Sequence, residues 1–333
     1  MSENKHLVNE LSKDTKRSLR TRIISALVAV VILVPVLFIG DYAFLVFMLF
    51  LLGLCIYEII HCAGKKYSIW LYIVSYVLAI AMSFWPIIHS FYDAIVANDL
   101  ANWRIYVNFT GLSLPITALV VGACALFIVV VLDRFFEVRD ACYVFTMTVI
   151  ISIAIQSILY LRYFPLSNVY GNAHAEHYFN SFDNFESALL VIYIGLATFM
   201  TDIGAYFVGI FFGKHKMNER ISPKKTWEGF FGGLIISTAV SFLFAYLLAL
   251  GNHPVLANLL DTKHWYYILL LSFIIPPVAV LGDFVFSSIK RYYGIKDFGK
   301  IMPGHGGALD RIDSIIFTTM VSALVISLFV YWM

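Results

Sequence analysis

The 333-residue sequence is 61% apolar and only 13% charged, and its mean hydropathy is +0.84. An ordinary water-soluble domain is excluded, because a chain of this length could not bury that much apolar surface away from water. The formal net charge of +2 points to no class of partner by itself. The composition therefore predicts a polytopic integral membrane protein.

Nine apolar runs follow one another along the chain, each long enough to cross a hydrocarbon core that takes about 20 helical residues. The runs are continuously apolar rather than alternating, which indicates helices instead of barrel strands. The sequence thus predicts an all-α fold with about nine transmembrane helices. The predicted spans are residues 23–40, 42–61, 68–89, 114–132, 142–163, 186–211, 229–250, 265–288 and 313–331.

The basic residues test this map independently. If the N-terminus is cytoplasmic, 20 of the 23 Lys and Arg residues fall in segments that face the cytoplasm. This bias fits an odd number of spans, with the C-terminus outside. The inner face is then built to meet anions such as lipid head groups or nucleotides, and no nucleic-acid partner is expected. A bacterial plasma membrane is the simplest location for such a chain.

The predicted organisation has three parts: a cytoplasmic tail at 1–22, transmembrane helices 1–5 at 23–185, and a catalytic transmembrane region at 186–333. The first span reads as an uncleaved signal anchor. The four cysteines lie in or beside apolar spans without metal-site spacing, so they are expected to pack as small hydrophobes. Most side chains capable of chemistry lie in the cytoplasmic loops 212–228 and 289–312.

Two carboxylates at membrane depth indicate functional positions, because burying a charge in a bilayer is costly. Asp202 shares a helical stripe with Ala205, Gly209 and Gly213, and such small residues allow another helix to approach closely. Bonding to a neighbouring helix is the alternative reading for Asp202. On the eighth span, Asp283 shares one face with Ser287, Lys290 and Arg291, which gives a gradient from carboxylate through hydroxyl to two cations.

The segment PGHGGALDRID, residues 303–313, contains a glycine pair and two carboxylates three residues apart. If the ninth helix begins soon after Gly306 and Gly307, Asp310 and Asp313 occupy one face of its first turn. An ordinary helix start with acidic residues is the alternative. Glycines let backbone N–H groups approach phosphate, and carboxylates from two helices suit magnesium. The pattern favours phosphoryl-type transfer.

The same residues match a family. The run Ser287-Ser288-Ile289-Lys290-Arg291, then Lys296-Asp297, then residues 303–307 and Asp310-Arg311-Ile312-Asp313 resembles the signature of phosphatidate cytidylyltransferases, also called CDP-diacylglycerol synthases. The block from Asp202 to Gly213, followed by Ile221 to Gly229, is similar to a second block of that family. The resemblance covers about the C-terminal 130 residues, and the N-terminal 190 share only their hydrophobic spans. Met302 and Ala308 depart from the family pattern at packing positions.

The resemblance implies transfer of CMP from CTP to phosphatidic acid, giving CDP-diacylglycerol and pyrophosphate for phospholipid biosynthesis. It implies a magnesium-dependent nucleotidyltransferase, with room for a second cation, that works beside membrane lipids. A homodimer is a further expectation, for which residues 42–89 offer apolar surface that lipid would cover equally well. Rival readings are a transporter of an anionic metabolite, although no internal repeat is visible, and another membrane lipid–nucleotide transferase.

The expected roles fall into three groups. Metal ligands are expected at Asp283, Asp310 and Asp313. Catalytic or phosphate-holding roles are expected for Lys290, Arg291, Arg311 and His305, together with Asp283 and Asp310. Substrate contacts are expected from Ser222, Lys224, Lys225, Ser287, Lys296, Gly306 and Gly307. The alternatives are surface charges for Lys224 and Lys225, a tight turn for the glycines, and helix capping or loop bracing for His305.

Overall fold

A computed structural model describes residues 13–98, 115–168, 181–299, 301 and 306–332. These residues form ten helices and one short hairpin. The helices are α1 (Lys13–Ile39), α2 (Asp41–His61), α3 (Ile69–Ser83), α4 (Trp85–Val96), α5 (Ile116–Leu132), α6 (Val138–Asn168), α7 (Ser181–Phe212), α8 (Trp227–Leu250), α9 (Trp265–Tyr292) and α10 (Leu309–Trp332). The hairpin strands are β1 (Lys216–Asn218) and β2 (Ser222–Thr226).

Six helices in the described part of the chain are long and apolar enough to cross a membrane. They are α2, α6, α7, α8, α9 and α10, and each coincides with a predicted span. The predicted fold class, an all-α polytopic membrane protein, is confirmed.

The other three predicted spans differ from unbroken membrane helices. Residues 68–89 form α3 and the start of α4, which are bent by 70° where Phe84 separates them. Pro86 lies in the first turn of α4, and a proline disfavours helical geometry in the residue before it. Helix α5 has only 17 residues, and the apolar part of α1 is limited to Leu27–Ile39. Helix α1 also begins at Lys13, inside the predicted tail.

The core of the N-terminal half forms around α6, which contacts α2, α3 and α5 of that half and also α7 and α10 of the C-terminal half. Large apolar side chains fill this core, including Phe44, Leu52, Ile56, Leu71 and Tyr163. Polar groups in it bond to backbone, as where the Gln156 amide donates to the Met82 carbonyl at 3.1 Å. Helix α6 is therefore the joint between the two halves of the protein.

Helices α7 and α8 pack through small residues instead. A Cβ added to Gly233 would lie 2.6 Å from the Thr201 carbonyl oxygen and 3.1 Å from the Ala205 Cβ. A Cβ on Gly229 would lie 2.8 Å from the Ala205 carbonyl oxygen, and its nearest neighbours include the Gly209 Cα. The predicted close approach of a helix to the small-residue stripe after Asp202 is confirmed, because α8 supplies glycines of its own.

The antiparallel hairpin lies between α7 and α8 and was not expected in a loop predicted without strands. Lys216 pairs with Thr226, and Asn218 pairs with Ser222. The Thr226 hydroxyl also accepts from the Gly229 N–H at 3.2 Å, which caps the start of α8. Glu228 accepts from the Lys214 N–H at 3.0 Å. These bonds fix the hairpin to the ends of both helices.

Candidate active site

The site forms where the end of α9 meets the beginning of α10. The two helices touch closely there, because a Cβ on Gly282 would lie 3.0 Å from the Asp313 carbonyl oxygen and 3.2 Å from the Ser314 Cα. Helix α10 begins at Leu309, so Asp310 lies in its first turn. The condition set for this helix, a start soon after Gly306 and Gly307, is met, although the predicted span began only at 313. Asp283, the next residue after Gly282, is thereby held beside the first turns of α10.

Lys290 is buried between the two carboxylates of α10. Its ammonium nitrogen lies 2.9 Å from Asp310 Oδ1 and 3.8 Å from Asp313 Oδ2. It also lies 5.5 Å from the centre of the Phe298 ring. Lys290 and Asp310 are only 9% and 8% exposed, so each charge depends on the other for compensation. This pair fixes the end of α9 to the start of α10.

Asp310 also organises the loop between the helices. Its Oδ2 accepts from the Phe298 N–H at 2.8 Å and from the Gly307 N–H at 3.0 Å. Gly306 has a positive φ of 90°, and a Cβ there would lie 3.0 Å from the same carboxylate oxygen. Described residues from both ends of the loop, Phe298 and Gly307, therefore meet at Asp310. The Gly307 N–H already has a partner, and the predicted phosphate contacts of both glycines remain predictions.

Glu58 of α2 joins this loop from the other half of the protein. Its two carboxylate oxygens accept from the Ala308 N–H at 2.9 Å and the Leu309 N–H at 2.8 Å, across 250 positions of sequence. The side chain is buried and places a negative charge at the positive end of α10. Gly299 and Gly307 both lie against the carboxylate, where a Cβ would clash with it. Sequence reasoning missed Glu58, although an acidic residue inside an apolar span was a usable signal.

Asp283 receives its partners from α9 and from the hairpin. Its Oδ2 forms an ion pair with the Lys225 ammonium, which reaches it from β2. Its Oδ1 accepts from the Ser287 hydroxyl at 3.1 Å, one helical turn further on. Lys225 also lies 4.8 Å above the Phe284 ring. The short hairpin thus delivers a lysine to the carboxylate predicted to matter most on α9.

Three carboxylates from three helices share one region, which we call the carboxylate cluster: Asp202 of α7, Asp283 of α9 and Asp313 of α10. Asp202 lies within electrostatic range of Lys225 and Asp283. Asp313 lies within range of Asp283, Lys290 and Asp202. The side chains of Asp283 and Asp313 are 27% and 15% exposed, so part of the cluster is open. Together with Lys225 and Lys290, the cluster places both signs of charge at the end of the helix bundle.

The donor chemistry of the cluster fits a magnesium ion with few protein ligands. Within the described residues, no three His, Cys, Asp or Glu side chains are grouped as a ready-made metal site. Magnesium in enzymes usually takes one or two carboxylates, several waters and the substrate phosphates, so a full protein cage is not needed. Asp283 and Asp313 are partly open, whereas Asp310 accepts three hydrogen bonds from protein donors. The three metal-ligand assignments remain predictions.

The remaining predicted residues lie around the cluster. Arg291 is exposed, and its guanidinium donates to the Ile295 carbonyl at 3.2 Å. Lys224, Lys296 and Arg311 are also exposed, while Ser222 is partly buried on β2. His305 lies outside the described residues. The structure thus brings together Asp283, Lys225, Ser287, Lys290, Asp310 and Asp313, and it leaves the other cations at the surface.

Apolar spanning helices and a site of paired lysines and carboxylates at their ends define a multi-pass membrane protein with a charged site beside the bilayer. Its sequence matches the model of the cytidylyltransferase family over residues 20–329. Because the match covers most of the chain, the protein belongs to the cytidylyltransferase family.

Curated relatives carry a more specific name. A phosphatidate cytidylyltransferase of Mycobacterium leprae is 41% identical over 133 residues, which is 40% of this chain and 39% of the relative. Those of Bacillus subtilis and Haemophilus influenzae are each 38% identical, over 155 and 140 residues. These alignments cover 46% and 42% of this chain and 54% and 46% of the relatives. The chain therefore spans about half the length of the curated relatives it matches.

Proposed function

We propose that this protein is a phosphatidate cytidylyltransferase, which transfers CMP from CTP to phosphatidic acid. Family membership and the names of relatives at 38–41% identity support this proposal. We further propose that it works in a bacterial plasma membrane with its site at the cytoplasmic side. The concentration of Lys and Arg on one predicted face and the bacterial source of the relatives support that placement.

The observation that carries the proposal is the alternation of lysines and carboxylates across α9, α10 and β2. Lys225 pairs with Asp283, and Lys290 bridges Asp310 and Asp313. One reactant is a lipid confined to the membrane, and the other is a polyanion dissolved in water. A charged site at the ends of spanning helices can receive both. Lysines give it attraction for phosphates, and carboxylates give it oxygen ligands for a cation.

The reaction needs charge neutralisation more than it needs a strong base. A phosphate oxygen of phosphatidate forms a bond to the α-phosphorus of CTP, while the bond from that phosphorus to the bridging oxygen of the β-phosphate breaks. The electron pair leaves with pyrophosphate. The attacking phosphate is already anionic near neutral pH, so the obstacle is repulsion between two anions. Lys225 and Lys290 lie where their ammonium groups would offset that repulsion.

Asp283 and Asp313 would hold the magnesium ion, with substrate phosphates completing its ligands. When bound, the ion supplies positive charge to the phosphates and to the departing pyrophosphate. Ser287 keeps the Asp283 carboxylate oriented through its 3.1 Å hydrogen bond. The Lys290 ammonium, 3.8 Å from Asp313 Oδ2, would help to orient that carboxylate.

The test is formation of labelled CDP-diacylglycerol from CTP and phosphatidate by the purified full-length chain, with and without magnesium. We expect Asp283→Asn and Asp313→Asn each to lower kcat by about 100-fold or more. Asp93→Asn, which changes an exposed carboxylate of α4 paired with His89, is the matched control. Full activity in both site variants, or product formation undiminished by chelation of magnesium, would refute the assigned roles.

A further inference from the structure

A cavity at the end of α9 is lined by residues from three separate elements. It has a volume of about 610 Å³, within the range usual for small-ligand pockets. Helix α6 supplies Arg139 and Tyr143 near its start, and the hairpin turn supplies Arg220 and Ile221. The end of α9 and the residue after it supply the rest: Ser288, Ile289, Arg291, Tyr292 and Tyr293. Elements far apart in sequence therefore build one concave surface.

The charge in this cavity has one sign. Arg139, Arg220 and Arg291 all line it, and no acidic residue is among the described residues that do so. None of the three guanidinium groups forms a salt bridge with a described carboxylate, whereas Lys225 and Lys290 both do. Three arginines with no anionic partner in the described structure create a strong attraction for an anion. Guanidinium groups also match phosphate geometry better than ammonium groups do.

The remaining lining suits a ligand that also has a flat or apolar part. Tyr143, Tyr292 and Tyr293 contribute rings, and Ile221 and Ile289 contribute aliphatic surface. Burial raises the pKa of the Tyr293 phenol above its ordinary value, so this group stays a neutral hydroxyl that can donate to phosphate. A free inorganic anion would leave most of this surface unused.

The last turns of α9 contribute residues both to the carboxylate cluster's surroundings and to the cavity. Ser287 bonds Asp283 of the carboxylate cluster and Lys290 lies 3.8 Å from Asp313 of the same cluster, whereas Ser288 and Arg291 line the cavity. Consecutive residues of a helix are about 100° apart, so these pairs face neighbouring sides of the same last turns. A ligand in the cavity can therefore extend a phosphate toward the cluster.

We propose that Arg139 and Arg220 join Arg291 in binding the phosphate groups of one of the two reactants. This inference rests on the proposed function for the identity of those reactants. A nucleoside triphosphate and a phospholipid head group share the phosphate chemistry that the cavity recognises. Arg139 and Arg220 lie outside the residues that the sequence singled out, and they bring α6 and the hairpin turn into substrate binding.

The test measures binding of two probes to the purified full-length chain in detergent. One arm uses CTP without lipid, and the other uses a soluble short-chain phosphatidate without nucleotide. Arg139→Ala and Arg220→Ala are compared with Arg134→Ala, which changes an exposed arginine of the connection just before α6 that does not line the cavity. We expect both cavity variants to weaken one probe by about 10-fold or more, and the control to weaken neither.

The two arms separate the outcomes. Weakened CTP binding identifies the cavity as the nucleotide site, and weakened phosphatidate binding identifies it as the head-group site. If both cavity variants bind both probes like Arg134→Ala, the inference is wrong. Failure of the proposed function would look different, because the unaltered chain would make no CDP-diacylglycerol while the arginine variants still lost probe affinity. Elution of all variants as a single folded species by size-exclusion chromatography excludes misfolding as the cause.

Discussion

The two halves of this protein are held together by different means. Helices α2, α3 and α6 enclose a core of large apolar side chains, whereas α7 and α8 meet backbone to backbone through glycines. The carboxylate cluster and its two lysines belong entirely to the second half. Yet the start of α10, which carries Asp310 in its first turn, is held by Glu58 of the first half. The comparison teaches that the N-terminal helices help to shape the site, although they hold none of the cluster.

The largest effect is expected from removing the buried lysine of the second half. Lys290→Gln leaves Asp310 and Asp313 without their shared cation, and loss of one partner of a buried pair costs about 3–5 kcal/mol of unfolding free energy. Thermal unfolding followed by tryptophan fluorescence measures the loss. Lys216→Gln, on the exposed side of β1, is the control. If the two variants unfold together, the buried pair does not stabilise the second half.

A smaller effect is expected from the residue that links the halves. Glu58→Ala leaves the Ala308 and Leu309 N–H groups without acceptors and removes a charge from the start of α10, which costs about 2 kcal/mol. Because the loop loses its support, we also expect kcat to fall while the affinity for CTP is kept. Glu137→Ala changes an exposed glutamate and is the control. Unchanged turnover in Glu58→Ala would show that the first half does not shape the site.

A still smaller loss of stability is expected from disturbing the packing of α7 against α8. Gly233→Ala places a Cβ 2.6 Å from the Thr201 carbonyl oxygen, so the helices must separate, at about 1–3 kcal/mol. Gly53→Ala on α2 is the matched control, because nothing lies within 4 Å of its added Cβ. Unfolding in denaturant compares the two. Equal stability of both variants would contradict the contrast between glycine packing and large-residue packing.

The smallest effect is expected from a single buried hydroxyl between α7 and α9. Tyr193 lies 2.7 Å from the Ser272 hydroxyl, and interhelical hydrogen bonds of this kind contribute about 0.6 kcal/mol in membrane proteins. Tyr193→Phe should therefore lower the melting temperature only slightly, and Tyr206→Phe, at an exposed ring, should leave it unchanged. A large loss in Tyr193→Phe would mean that polar bonds, not glycine contacts, hold the second half together.

The sequence could predict the features that depend on local pattern. Continuous apolar runs located all six described helices that are long and apolar enough to cross a membrane, and α10 starts soon after the glycine pair. Spacing placed Asp283 and Ser287 on one face, where they form a hydrogen bond. Each of these follows from helix periodicity within a few turns, so no knowledge of neighbouring helices was required.

Features that depend on distant contacts could not be predicted in the same way. The pairing of Lys225 with Asp283 joins a hairpin to a helix, and Glu58 meets a loop 250 positions away. The hairpin has no alternation of apolar and polar residues that would predict its strands. It is held by the hydrogen bonds of Thr226 and Glu228 at its base rather than by a buried face. The break between α3 and α4 did have a signal in Pro86, which the hydropathy of the run concealed.

The bond between Glu58 and α10 sets an order on how this protein matures. Glu58 belongs to an early helix, α2, yet the two N–H groups that satisfy it lie at the start of α10, about 250 positions later in the chain. Before α10 is in place, Glu58 lies without these two hydrogen-bond donors. Docking of α10 then supplies both donors together, so a chain interrupted before α10 would leave Glu58 in the membrane without these hydrogen bonds.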